Sequence, residues 1–450
     1  METNYPRFTQ EMKKTHTILI PNMLPLHFSM LAAALEYEGY HVEVLGNCGS
    51  QVAQLGLKYV HNDTCYPALL VIGQFLDALQ SGKYDLDHTA LLITQTGGGC
   101  RASNYIHLLR KALHRAGYGH IPVASLNFSG LEKDSGFQMN LSIARKAIAA
   151  IFYGDLIMAL RNQTSPYEVT KGQAKELAEK WVDTICGWFH QNKGFTGGEM
   201  KATFPKIAND FAAIPVVRTP KVKVGIVGEI YVKYSPLGNN NLEEFLASQD
   251  CEVNLPGLLG FVDYCISNMG DTVRFYGGSL AEVWGSEALL KYLDGFERAM
   301  GSAMRAAGFH APARFLELRE MANGIISRGN KMGEGWLLTA EMVELVTTGY
   351  ENIVCAQPFG CLPNHICGKG MISRIRAIYP NANITPIDYD PSATPVNQEN
   401  RIKLMISVAK ANLADKEAEA KKARDRFVGA GRPQAVQEEA GALEIETERA

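Results

Sequence analysis

The sequence lacks the features by which several classes of protein are recognised. It contains no run of about 18 apolar residues that would span a membrane, and its start, METNYPRFTQEMKK, has no apolar stretch typical of a signal peptide. The formal net charge of -3 leaves no basic excess for a nucleic acid or an anionic membrane. Hydrophobic residues make up 46% and charged residues 20%, as in ordinary globular proteins. These absences predict a cytoplasmic protein whose partners include neither nucleic acid nor membrane.

Several common catalytic and binding motifs are also missing. The chain has no G-x-x-x-x-G-K-[ST] phosphate loop and no G-x-S-x-G nucleophile elbow. GIVGE at 225–229 lacks the G-x-G-x-x-G form, so it is interpreted as a sheet strand followed by a functional loop. No Cys-x2-Cys zinc hook and no ferredoxin-type cysteine run occurs around 355–367. A metal or cofactor site must therefore combine residues that are distant in the sequence.

Alternating strand and helix patterns predict an α/β fold. THTILIPNM, HVEVL and TALLITQT are typical of strands separated by helices, and the valine-rich KVKVGIVGEIYV is typical of a strand buried on both faces of a parallel sheet. We predict two Rossmann-like parallel-sheet domains, at 1–137 and 221–396, with a helical linking region at 138–220. A C-terminal helix at 397–428 and a disordered, glutamate-rich tail at 429–450 complete the prediction.

Nine cysteines in a chain of this kind favour metal ligation or burial over disulfides. Cys355, Cys361 and Cys367 are spaced six residues apart in a segment that follows an apolar run. We interpret this segment as the loop at the carboxyl end of a strand, where open α/β sheets bind ligands. His365 lies near Cys361, so a mixed Cys/His zinc site also stays open. Cys265 lies in an aromatic, apolar run that indicates a core position.

Cys65 and Cys100 each lie where the chain enters a predicted helix. Asn62, Asp63 or Thr64 caps the helix after Cys65 in this interpretation. Exposed N–H groups at a helix start lower a thiol pKa and favour a bound anion, which suits a negatively charged cluster. The glycine run Gly97-Gly98-Gly99 before Cys100 either admits a bulky ligand to the backbone or serves only the turn.

Two acidic residues are candidate catalytic groups. Glu229 ends the first strand of the second α/β unit, so it faces the expected ligand edge of that sheet. Glu334 lies in GEGWLLTAEM with Trp336 and Glu341. This stretch either lines a pocket or is only a capped amphipathic helix.

Six motifs in order resemble the 2-hydroxyacyl-CoA dehydratase superfamily. The similarity is strongest to the dehydratase-like C-terminal region of large acyl-CoA dehydratase activase-related proteins, and it covers roughly residues 8–412. The motifs are NDTCYPALLVIGQF, QTGGGCRASNY, KVGIVGEIYVKYSPLGNNN, GEGWLLTAEM, CAQPFGCLPNHICGKGMI and ITPIDYDPSATPVNQENRIKLM.

This resemblance implies Rossmann-like domains that enclose an iron-sulfur cluster, a [4Fe–4S] cluster or, as in a related branch, an [8Fe–9S] double cubane on six cysteines. By position, the implied ligands are Cys65, Cys100, Cys355 and Cys361, with Cys48 and Cys367 in reserve. In the family's dehydratases an ATP-hydrolysing activator injects one low-potential electron, which the cluster passes to a thioester carbonyl. The resulting ketyl radical expels the hydroxyl group. The actin-like ATPase region of the large proteins is absent from this sequence, so a separate activator is expected to dock.

The resemblance therefore predicts an iron-sulfur redox enzyme, a dehydratase (lyase) or a reductase. Its substrate would be an acyl-CoA thioester or a small reducible molecule. One alternative is a non-catalytic electron carrier or activase partner component with the same cluster, and a weaker one is a zinc-stapled structural protein. Whether the chain forms a dimer is left open.

Overall fold

A computed structural model of the chain describes residues 5–61, 64–95, 99–127, 137 and 139–430, with side chains as far as residue 422. The strands within these residues are β1 (Thr17–Ile20), β2 (His41–Val44), β3 (Thr89–Gln95), β4 (Val123–Asn127), β5 (Val222–Gly228), β6 (Cys251–Asn254), β7 (Asn352–Pro358) and β8 (Asn383–Tyr389). The helices are α1 (Pro25–Tyr37), α2 (Ser50–Tyr59), α3 (Tyr66–Gln80), α4 (Tyr105–Ala116), α5 (Leu141–Thr164), α6 (Gln173–His190), α7 (Gly197–Ala212), α8 (Ile230–Tyr234), α9 (Pro236–Asn239), α10 (Leu242–Ser248), α11 (Leu258–Tyr276), α12 (Leu280–Ala306), α13 (Phe315–Met321), α14 (Trp336–Thr347), α15 (Leu362–Cys367), α16 (Ile372–Ile378) and α17 (Pro395–Ala430). Short 3-10 helices occupy Met12–Lys14, Leu86–His88, Arg101–Asn104 and Lys369–Met371.

The strands form two four-stranded sheets in which every pairing is parallel. Their orders are β2-β1-β3-β4 and β6-β5-β7-β8, so the two halves share one topology. This arrangement confirms the predicted α/β class with two Rossmann-like domains. The strand order reverses between β1 and β3 in one sheet and between β5 and β7 in the other. Loops diverge at such a switch point and open a crevice at the carboxyl ends of the strands.

The second sheet is buried on both faces, as its valine-rich strand β5 predicts. Neighbouring residues of a strand point to opposite faces. Ile226 belongs to the apolar cluster that also contains Tyr66 of the first domain, whereas Val227 belongs to a separate cluster with Met342 and Ile372. One apolar core therefore joins the two domains directly.

The helices of the predicted linking region pack on both sheet domains. Phe152 of α5 lies 6.2 Å from Phe204 of α7 and 5.6 Å from Phe296 of α12, between ring centroids. The buried Asp155 carboxylate of α5 accepts the Leu258 N–H at 2.8 Å and lies 2.9 Å from Nε2 of His27 in α1. A single carboxylate thus ties α5 to an element of each half. The exact domain bounds given above stay predictions.

The final helix, α17, occupies the place of the helix predicted at 397–428. Residues 431–450 of the predicted tail lie outside the described part of the chain. Among the described helices, none combines the length and the apolar character needed to cross a bilayer.

Candidate functional site

Three cysteines occupy the position in front of a helical segment. Cys65 precedes α3, Cys100 precedes the 3-10 helix Arg101–Asn104, and Cys361 precedes α15. Backbone N–H groups at these helix starts interact with the sulfurs and lower the thiol pKa values, in part offsetting burial; they belong to Ala68, Ala102 and Asn364. The structure therefore places these predicted residues at helix starts. The predicted caps Asn62 and Asp63, and Gly97 and Gly98, lie outside the described residues.

Direct contacts bring the cysteine loops of the two domains together. The Tyr66 N–H donates to the Phe359 carbonyl at 3.0 Å, and the Gly99 N–H lies 3.1 Å from Sδ of Met332. Gly360 has a φ of +76°, and a Cβ atom there would lie 3.1 Å from Cα of Cys65. Only glycine meets both the left-handed backbone and the close approach without strain. The loop after β7 therefore lies directly against the start of α3.

The Cys100 thiol is close enough to Cys65 and to Cys361 for their charges to interact. Burial raises the pKa of all three, that of Cys100 to about 12, and the neighbouring thiol of Cys65 raises the Cys100 pKa further. Cys100 in turn raises the pKa of Cys361. Glu229 contributes in the same direction at each sulfur. The site thus groups residues from β3, β5 and β7 loops with the start of α3.

Two carboxyl groups lie beside these thiols, as a pair. Glu334 Oε1 accepts the Ile230 N–H at 2.9 Å, and Glu229 Oε2 accepts the Val232 N–H at 2.9 Å. Burial raises the pKa of both carboxyls, and Glu334 raises that of Glu229 further. Two neighbouring buried carboxylates repel each other, so the pair retains a proton at neutral pH. The structure brings together both predicted catalytic residues, which are far apart in the sequence.

Gly228 explains how β5 delivers Glu229 to this position. Its φ is +156°, and a Cβ atom there would lie 2.2 Å from the Ala356 carbonyl oxygen. The backbone of β5 therefore leaves the sheet in close contact with β7, and the Glu229 N–H donates to that same carbonyl at 3.3 Å. Glu229 is held directly beyond the end of the strand.

Tyr105 is a site residue that the sequence reasoning missed. Its hydroxyl lies 2.8 Å from Sγ of Cys65, and burial raises its pKa, so the phenol keeps its proton. Cys100 and Glu229 also act on this hydroxyl. Tyr105 begins α4, only five residues after Cys100. This short spacing is the sequence signal by which it could have been predicted as a site residue.

Cys355 is not brought together with the other three thiols. Strand β7 continues to Pro358, so Cys355 lies inside the strand, paired with Val227 on one side and Pro386 on the other. Its side chain is buried in an apolar cluster, and Nε2 of Gln357 lies 3.9 Å from the sulfur. The sequence placed this residue at the start of the loop because the strand was judged to end earlier. Its assignment as a ligand stays a prediction that the geometry does not favour.

The remaining candidates are distributed around the site or away from it. Cys367 ends α15 and is buried. Burial and, to a smaller extent, Glu334 raise its thiol pKa to about 11. Cys48 is exposed, and so is His365. Cys265 is exposed as well, which overturns its expected core position. Helix α11 turns this residue away from the apolar side that packs.

The stretch around Glu334 is neither a simple pocket wall nor an exposed helix. Trp336 is fully buried, with its ring 5.2 Å from that of Tyr264 between centroids. Glu341 forms a buried ion pair with Lys233 through oxygens at 2.9 and 3.1 Å from Nζ. The ion pair anchors α14 against α8, and the tryptophan anchors it against Tyr264 of α11.

No group of three or more His, Cys, Asp or Glu side chains among the described residues is arranged to hold a single metal ion. An iron-sulfur cluster is larger than one ion and takes thiolates from several loops. The donor set fits such a group in its chemistry, since three thiols, each beside one backbone N–H group, come from neighbouring loops of the two domains. No family model and no curated protein matches this chain.

Proposed function

We propose that this chain is an iron-sulfur redox protein of the 2-hydroxyacyl-CoA dehydratase type. The observation that carries the proposal is the grouping of Cys65, Cys100 and Cys361 from both domains beside the carboxyl pair Glu229 and Glu334. Thiolates are the usual ligands of such clusters. The resemblance of the six motifs supports the same assignment, with [4Fe–4S] as the first expectation and the [8Fe–9S] double cubane as the alternative.

The thiols and their surroundings would hold the cluster. A bound cluster would supply a single electron at low potential. Because burial raises the pKa of all three thiols, ligation releases their protons and becomes more favourable as the pH rises. The N–H groups at the three helix starts would donate to the sulfurs, which favours an anionic group.

The carboxyl pair supports an enzyme over a pure electron carrier. Burial and Glu334 raise the pKa of Glu229 to about 8, so this side chain carries a proton at neutral pH. A protonated carboxyl can donate to an oxygen of the substrate, and a departing hydroxyl group needs such a proton. We assign Glu229 and Glu334 to this role, with an acyl-CoA thioester or a small reducible molecule as substrate. A protein that only passes electrons has no need for a proton there.

The surface around the cysteine loop supports a partner. Four apolar side chains are exposed beside it, and they are Met332, Phe359, Leu362 and Ile366. Exposed apolar residues grouped near a functional site mark docking surfaces. We assign this surface to an ATP-hydrolysing activator that delivers the electron.

Iron incorporation tests the proposal. After anaerobic reconstitution we expect about four irons per chain for a [4Fe–4S] cluster or about eight for a double cubane. Cys65→Ser, Cys100→Ser and Cys361→Ser are each expected to lose most of this iron. The matched control is Cys251→Ser, a buried cysteine at the start of β6, which should retain it. Stoichiometric zinc, or unchanged iron in Cys100→Ser, would contradict the assignment.

Cys355→Ser tests whether Cys355 is a cluster ligand in addition to Cys65, Cys100 and Cys361. We expect this variant to retain its iron, because the Cys355 side chain extends from β7 into an apolar cluster of the core. Loss of iron in a variant that keeps its helical content would restore Cys355 as a ligand.

A further inference from the structure

Helix α12 carries an apolar stripe that the rest of the described chain leaves uncovered. Leu280, Trp284 and Tyr292 lie on one side of the helix and are 71%, 76% and 60% exposed. The apolar surface continues at the end of α11, where Phe275 and Tyr276 are exposed. Rows of large exposed apolar side chains mark interaction sites.

Small residues alternate with the large ones on this side of α12. Ala281, Gly285 and Ala288 are exposed, and Gly295 is half-buried. A Cβ atom at Gly285 or Gly295 would meet nothing within 4 Å. Glycine within a helix is less stable than alanine, and no contact among the described residues accounts for either glycine. A second helix that approaches closely does account for both.

We propose that α12 pairs in antiparallel orientation with α12 of a second copy of this chain, across a two-fold axis at the level of Leu289. In this pairing Tyr292 of one copy covers Gly285 of the other, and Trp284 covers Gly295 of the other. Residues on the same flank of each helix face one another in an antiparallel pair. An α-helix turns by about 100° per residue, so Tyr292 and Gly285 lie within about 20° of each other around the helix axis, and so do Trp284 and Gly295. Each large side chain therefore lies on the same flank as the glycine that it covers.

The charges on the same flank fit a second copy. Exposed Lys291 is placed opposite Glu287 of the second copy when the two size-matched pairs are formed. Arg274 and Arg319 of its own chain both donate to Oε1 of Glu287, at 2.8 and 3.0 Å. These bonds orient the carboxylate and leave Oε2 for the approaching ammonium group. In an isologous interface each contact occurs at two symmetry-related places, so the pairing of Lys291 with Glu287 and each size-matched pair form twice.

Light scattering over a range of concentrations tests the pairing. The parent chain is expected to show twice its 49.4 kDa mass. Trp284→Ala should weaken the dimer roughly 30-fold or more, since a large aromatic anchor is lost at two symmetric positions. Leu404→Ala, at an exposed leucine of α17, is the matched control and should leave the dimer unchanged. A monomer at every concentration, or an unaffected Trp284→Ala dimer, overturns the proposal and leaves the stripe to a different partner.

A size exchange tests the antiparallel geometry itself. Gly295→Trp places two tryptophans against each other and should abolish the homodimer, although no described atom lies within 4 Å of a Cβ atom built at this position. When this variant is mixed with Trp284→Ala, each tryptophan at 295 can fill the space left at 284, and each native Trp284 meets a native Gly295. We expect the mixture to form a one-to-one heterodimer at a concentration where each variant alone is monomeric, and each variant should melt like the parent. Failure of the mixture to pair refutes the proposed register.

Discussion

Ser, Thr, Asp and Asn are the usual residues in front of a helix, because their side-chain oxygen accepts a backbone N–H bond. In this chain Cys65, Cys100 and Cys361 take that position. Sulfur is a weak acceptor, so each cysteine forgoes a cap that typically contributes about 1 kcal/mol. The proposed cluster would require a thiol at those points, which would explain the choice. The same residues are the ones that meet at the domain boundary.

Glu229→Gln is expected to change the pH dependence of stability. Burial and Glu334 raise the pKa of Glu229 from 4.5 to about 8. A raised carboxyl pKa contributes stability that is fully present below about pH 4.5 and is lost as the pH rises through 8, because the folded state must then bury a charge. Gln stays neutral, so the variant should gain roughly 1–3 kcal/mol over the parent at pH 8 and less at pH 5.

Denaturant unfolding of both proteins at the two pH values measures this difference. Glu282→Gln, at an exposed carboxyl of α12, is the control and should show no pH-dependent gain. An equal gain for Glu229→Gln at pH 5 and pH 8 would show that Glu229 is not protonated by its surroundings. In the loaded protein the same variant should keep its iron and lose turnover of a 2-hydroxyacyl-CoA.

Tyr105→Phe is expected to lower the reduction potential of the bound cluster. The Tyr105 hydroxyl lies 2.8 Å from Sγ of Cys65 and keeps its proton, so it donates to the thiolate when that sulfur is a ligand. Hydrogen bonds to cluster sulfurs raise the potential. Loss of one bond should shift it down by on the order of tens of millivolts. Tyr84→Phe, which removes a bond to Glu43 instead, is the control for a redox titration. Identical potentials would remove Tyr105 from the site.

At the scale of elements, the site depends on loops at the switch points of two similar sheets. The loops after β3, β5 and β7 supply Cys100, Glu229 and Cys361. The carboxyl ends of parallel strands lie at the same edge of a sheet, so the loops that follow them are close together as a result of the sheet topology alone. The start of α3 completes the site because the loop after β7 packs on it through Gly360.

Gly360→Ala is expected to damage the site, whereas Gly349→Ala is not. Both glycines have a positive φ, of +76° and +92°, so both substitutions should cost about 1 kcal/mol of stability. Only at Gly360 does the new methyl group press on Cα of Cys65, at 3.1 Å, whereas at Gly349 nothing lies within 4 Å. Iron per chain should therefore fall only in Gly360→Ala. Equal iron in the two variants would show that the loop tolerates the displacement.

At the scale of the whole molecule, the candidate site lies between two domains and takes residues from both. Cluster binding should stabilise both together, because a ligand that binds only the assembled state shifts the equilibrium towards it. Hydrogen exchange followed by mass spectrometry should show slower exchange at the start of α3, after β3 and after β7 at the same time. Cys361→Ser should lose this protection in both domains, while Cys251→Ser keeps it. Protection confined to one domain would contradict a shared site.

Particular residues show how far the sequence could predict this arrangement. The βαβ pattern and the helix-start setting of Cys65 and Cys100 are local, so they could be read from neighbouring residues. The sequence placed Cys355 at the start of the loop, whereas β7 runs through Ala356 and Gln357 to Pro358, and no local signal ends the strand earlier. The exposed position of Cys265 was missed because an apolar run on a helix does not reveal which side packs.

The sequence by itself determined the two parallel sheets and the cysteines at helix starts, since hydrophobic period, turn residues and caps act over a few neighbours. Only the tertiary structure decided which groups meet. Glu334 reaches Glu229 through the N–H of Ile230, 104 residues away, and Tyr105 reaches Cys65 over 40 residues. Such contacts depend on how whole elements pack, because burial and proximity are properties of the assembled core.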